Sequence, residues 1–75
     1  MAKKGPSSVQ DRLNRIEGQI RGIIRLVDEN EPTEKILIQV QAAISSLESV
    51  RIELIKIEMK KKLLEELDSV VNLLK

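Results

Sequence analysis

Seventy-five residues allow one domain, and a lone core in so short a chain buries too small a share of its surface to be more than marginally stable. With neither cysteine nor histidine, disulfides and the usual structural zinc site are excluded, which leaves oligomerisation as the staple. With no aromatic residue, base-stacking platforms and cation cages are excluded too. The formal net charge of +1 conceals a segregation: six basic residues stand against two acidic ones in 1–27, four carboxylates crowd 28–34, and 35–75 is nearly balanced, so the positive field belongs to the first predicted helix.

The N-terminal MAKKGPSS is too polar and too short for a secretory signal, and no apolar run approaches the roughly 20 residues of a membrane span. The expectation is a cytoplasmic protein with no membrane partner. Residues 1–7 read as a flexible basic tail that holds Lys3 and Lys4, and 8–75 as a single helical domain. Gly5 and Pro6 are expected to break structure before Ser7, and Ser8 followed by Asp11 has the form of a capping box opening a helix. Val9, Leu13, Ile16, Ile20, Ile23 and Val27 then recur at spacings of 4, 3, 4, 3 and 4, the heptad seam of a helix ending near Asn30.

Asn30 to Thr33 form the expected turn, with Pro32 suited to the first position of a second helix. The seam of that helix runs Ile36, Val40, Ala43, Leu47, Val50, Leu54 and Ile57. Leu37, Ile44, Ile52 and Ile55 widen the apolar arc beyond what one neighbour covers, which calls for at least two partners. The seam next lands on Lys61, in the basic run Lys60, Lys61 and Lys62, and resumes with Leu64, Leu67, Val71 and Leu74 in shifted phase. With no glycine or proline there, a short third helix and a continuation of the second remain equally open. Gly18 and Gly22 each cost about 1 kcal/mol in a helix relative to alanine; a close approach by another backbone or by DNA is one reading, and tolerated glycines the other.

Without histidine or cysteine no nucleophile with an adjacent base can be assembled, and the serines Ser45, Ser46, Ser49 and Ser69 lie in helical pattern with no glycine-rich elbow. The chain is not expected to be an enzyme or to carry a cofactor. The carboxylates Glu17, Glu48, Glu53, Glu65 and Glu66 sit among lysines and arginines at helical spacing, as surface ion pairs do, and suggest no metal site. The arginines say more. Arg12 to Arg25 hold four arginines and no lysine, and the planar five-donor guanidinium grips phosphate or carboxylate in a bidentate fork. At 100° per residue Arg12, Arg15 and Gln19 lie along one flank of the apolar stripe, while Arg21, Arg25 and Asn14 face outward. Such a helix suits DNA, a membrane surface or a partner protein.

The run RLNRIEGQIRGIIRLVDE, followed by a turn and ILIQVQAAISSLESV, resembles the copper-sensing operon repressor family, the CsoR, RcnR and FrmR relatives, over about Val9 to Lys62. The resemblance implies an all-α protein of two long antiparallel helices plus a short third helix or helical extension. It further implies pairing of two copies into a four-helix bundle, commonly a dimer of dimers, and repression of transcription by binding duplex operator DNA. Arg12 and Arg15 match the family's two N-terminal arginines and are the first candidates for DNA contact. Arg51, Lys3 and Lys4 follow, and Gln19 is added from the wheel. Family copper sensors place a cysteine, a histidine and a second cysteine where this sequence has Thr33, Glu58 and Lys62. None of the three is a soft ligand, so no copper is expected to bind, and Glu58 four residues before Lys62 suggests an ion pair in place of the sensor site. By the same comparison the chain ends early, without most of the family's loop and third helix. Two functions remain: a copper-independent, DNA-binding repressor, or a structural or partner-binding helical bundle that has lost DNA binding.

Overall fold

The computed structural model describes residues 6–75, with side chains from Ser8 onward. It consists of α1 (Pro6–Asp28) and α2 (Thr33–Leu73), with no strand among the described residues. Helix α1 opens at Pro6 rather than after it. Proline is accepted in a first turn because the amide hydrogen it lacks has no partner there, so Pro6 starts the helix and Ser8 lies inside it.

The turn between the helices is fixed by backbone hydrogen bonds. Asn30 N–H donates to the Val27 carbonyl at 3.1 Å and Glu31 N–H to the Leu26 carbonyl at 3.0 Å, the paired bonds of a Schellman ending. This requires a left-handed residue, and Asn30 supplies it at φ 56°, a conformation asparagine tolerates better than most side chains. Pro32 caps α2 from one position earlier than the sequence suggests. Its carbonyl accepts from Lys35 N–H at 3.0 Å and Ile36 N–H at 3.2 Å, while Lys35 Nζ reaches Glu31 Oε1 at 3.2 Å.

Helix α2 runs unbroken for 41 residues, so the choice left open at Lys60–Lys62 is settled as a continuation and there is no separate third helix. At 1.5 Å per residue it spans about 62 Å, which accounts for most of the 67 Å long axis of the molecule. The shortest dimension is only 14 Å, the thickness of a single layer of helices.

A layer one helix deep cannot enclose a core, and the seams show how far burial gets. Val9, Ile16 and Ile23 point at α2, the first two buried and the third half-buried; facing them, Ile36, Ala43, Val50 and Ile57 recur every seven residues, with Ala43 and Val50 buried. Val9, Ile16 and Val50 form the central cluster, and Ile57 lies against it. Of the other heptad positions Val40 is half-buried, while Leu13, Ile20 and Val27 on α1 and Leu47 and Leu54 on α2 stay open. One half of each seam is satisfied within the chain and the other half is not.

Candidate nucleic-acid interface

Because α1 and α2 are antiparallel, the residues counter-clockwise of the contact line on both helices fall on the same side of the layer. That side holds Arg12, Arg15 and Gln19 from α1 and Ser46 and Ser49 from α2. Together with the buried Ile16 as floor they line one open groove of about 460 Å³. The three α1 residues expected to share a flank are therefore brought together. The two serines were read in the sequence only as failed nucleophiles, yet the phase of α2 carries a signal for them: Ser46 precedes Val50 by four residues, as Arg12 precedes Ile16, and both serines share that flank.

Charge compensation differs sharply among the basic residues. Arg21 Nη2 lies 3.5 Å from Glu17 Oε2 and Arg51 Nη1 lies 2.9 Å from Glu48 Oε2, both as exposed pairs within one helix. Arg12 and Arg15 have no ion-pair partner among the described residues. The groove therefore presents two uncompensated guanidinium groups, two hydroxyls and a carboxamide, a donor set suited to an oxyanion such as a phosphodiester. Arg51 is exposed, tied to Glu48 and outside the groove lining. Lys3 and Lys4 lie outside the described residues.

Thr33, Glu58 and Lys62 are not gathered into one place within the chain. Thr33 is the first residue of α2, and 25 residues of helix rise put Glu58 about 38 Å away. Glu58 Oε2 and Lys62 Nζ do meet, at 4.0 Å, as an exposed pair. Among the described residues no three His, Cys, Asp or Glu side chains converge as metal ligands would, and no helix is long and apolar enough to cross a membrane. A Cβ built on Gly18 or Gly22 meets nothing within 4 Å, so neither glycine serves a close approach by this chain's own α2.

The hairpin is flat, with an arginine-lined groove on one side and unfilled heptad positions on the other. The chain belongs to the metal-sensitive transcriptional repressor family, whose model matches residues 6–75. Similar proteins include the copper-sensing transcriptional repressor RicR of Mycobacterium tuberculosis, 43% identical over 44 residues (59% of this chain, 46% of the relative). The copper-sensing transcriptional repressor CsoR of Bacillus subtilis is 33% identical over 55 residues (73% of this chain, 54% of the relative). The chain thus spans about half the length of the curated relatives it matches. No solved structure gives a significant match.

Proposed function

We propose that the protein represses transcription by binding duplex operator DNA through the Arg12–Arg15 groove of a homo-oligomer, without responding to copper. The observation that carries this reading is the sidedness of the hairpin. A second copy laid over Leu13, Ile20, Leu47 and Leu54 completes both seams as a four-helix bundle, and the same docking leaves the guanidinium groups of both copies turned outward. Family membership supplies the biological role, and the uncompensated cations supply the affinity for a phosphate backbone.

Indifference to copper follows from side-chain chemistry. A hydroxyl, a carboxylate and an ammonium stand at Thr33, Glu58 and Lys62, and Cu(I) prefers thiolate and imidazole. An antiparallel second copy would bring its own Thr33 toward Glu58 and Lys62, whose exposed charged groups lie 4.0 Å apart. Titration with Cu(I) is expected to show no binding at one ion per subunit; micromolar affinity at that ratio contradicts the copper-independent part of the proposal.

The DNA reading is tested by fluorescence anisotropy with duplex from upstream of the protein's own gene. The double substitution Arg12→Ala, Arg15→Ala is expected to lower affinity at least tenfold while the mass in solution stays that of the unsubstituted protein. Unchanged affinity overturns the assignment. A change of mass instead makes the arginines a subunit contact, as in a structural bundle that does not bind DNA.

A further inference from the structure

The polar flank continues past the groove that holds Arg12 and Arg15. Counted in heptads along α2, Ser46 is followed by Glu53 and Lys60, and Ser49 by Lys56, so both lysines stand on the side of the layer that carries the arginines. A second recess of about 700 Å³ opens there, with Glu53, Lys56, Ile57 and Lys60 in its lining. The cluster of Val9, Ile16 and Val50 with Ile57 against it sets the antiparallel register. In that register Arg15 is level with about residue 51 and Arg12 with about residue 54. Lys56 and Lys60 therefore lie about 3 Å and about 9 Å beyond Arg12, toward the end of the hairpin where α1 begins.

Charge compensation follows the same division. Arg21, Lys35, Arg51 and Lys62 line neither hollow, and each sits beside a carboxylate. Arg12, Arg15, Lys56 and Lys60 have no ion-pair partner among the described residues. Arg25 and Lys75 are unpaired too, but Arg25 faces outward from α1 and Lys75 lies beyond α2. Lys61, also unpaired, lines the recess from the heptad position of Leu47 and Leu54, which is the apolar flank. Lys56 and Lys60 are one helical turn apart, a spacing at which like charges disfavour the helix. Glu53, the carboxylate of the recess, forms an ion pair with neither lysine, so their repulsion stands unrelieved within the chain.

We infer that Lys56 and Lys60 extend the Arg12–Arg15 groove into one phosphate track, so that a bound duplex runs along the hairpin toward the N-terminal end of α1. The inference rests on the DNA reading proposed above. Side-chain chemistry divides the labour: the arginine forks fix orientation, and a lysine ammonium is a point charge that meets a phosphate in any sequence. A duplex strand rises 3.4 Å per phosphate, so the roughly 9 Å from Arg12 to Lys60 spans about three base pairs outside the arginine contacts. The lysines thus add affinity on flanking DNA without adding sequence preference.

Two duplexes test this: the shortest that still shows the loss on Arg12→Ala, Arg15→Ala, and the same duplex lengthened by about ten base pairs at each end. Lys56→Ala with Lys60→Ala replaces two exposed side chains by a better helix former, so the fold is kept. On the long duplex this variant is expected to bind at least tenfold more weakly at about 0.1 M salt, with a log–log salt slope shallower by about 2 for each bound copy. On the short duplex, where only the arginines reach, it should bind like the unsubstituted protein. Arg21→Ala with Lys62→Ala removes the same charge from compensated positions and should leave both slopes unchanged. An unaltered slope on the long duplex while the arginine dependence persists, or an equal change from the control pair, overturns this inference and leaves the proposed function standing. Failure of the unsubstituted protein to bind either duplex overturns both.

Discussion

On one flank of the line where α1 meets α2 stand Arg12, Arg15, Gln19, Ser46 and Ser49; on the other stand Leu13, Ile20, Leu47 and Leu54. Both sets sit one helical step from the same buried stripe of Val9, Ile16, Ala43 and Val50, and they differ only in chemistry. The polar flank is content in water and needs no cover to be stable. The apolar flank is half of a seam, and a layer 14 Å thin offers it nothing within the chain. Under the proposed function one side serves assembly and the other recognition, because what would complete the apolar side leaves the arginines exposed.

The largest effect expected from breaking this contrast is on the apolar side. Leu47 and Leu54 are 46% and 50% exposed in the single chain. Were the chain to work alone, their truncation to alanine would cost about 1 kcal/mol each or less, but under a second copy each should cost about 2–5 kcal/mol. Urea unfolding of Leu47→Ala and Leu54→Ala at several protein concentrations checks this, with a concentration-dependent midpoint as the expected sign of assembly.

On the polar side, exchanging the fork for a point charge sharpens the comparison. Arg12→Lys with Arg15→Lys is expected to keep the salt dependence of duplex binding while lowering affinity roughly tenfold, since lysine retains the charge and loses bidentate geometry. Ser46→Ala with Ser49→Ala should give a smaller loss, about fivefold, again with an unaltered salt slope because no charge is removed. Anisotropy titrations at three salt concentrations read both. The smallest effect is expected at Gly18, where open space awaits a methyl group: Gly18→Ala should stabilise the protein by about 0.5–1 kcal/mol, visible as a raised Tm.

The helices, the turn and the seams were legible in the sequence because each rests on short-range periodicity. The shared flank of Arg12, Arg15 and Gln19 follows from helical phase alone and survives in the groove. Phase does not say which half of a seam the neighbouring helix will take, so the division between Ile16 and Ile20, or between Val50 and Leu54, needed the packed hairpin. Ser46 and Ser49 escaped because a serine inside a helix carries no chemistry until something stands beside it. Arg51 entered as a DNA contact by resemblance; one residue past the buried Val50, helical phase sets it on the flank away from the groove, where it pairs with Glu48. The junction at Lys60–Lys62 carried no breaker, and continuity of α2 through it is what that absence permits. Pro6 misled because proline ends helices from within yet begins them without cost.

The most direct test of the two-sided account is the salt dependence of duplex binding by the unsubstituted protein. Two arginines from each of two copies should neutralise about four phosphates, giving a log–log slope of about −3 to −4. A protein that binds no duplex even at low salt, or binds with a slope near zero, contradicts it.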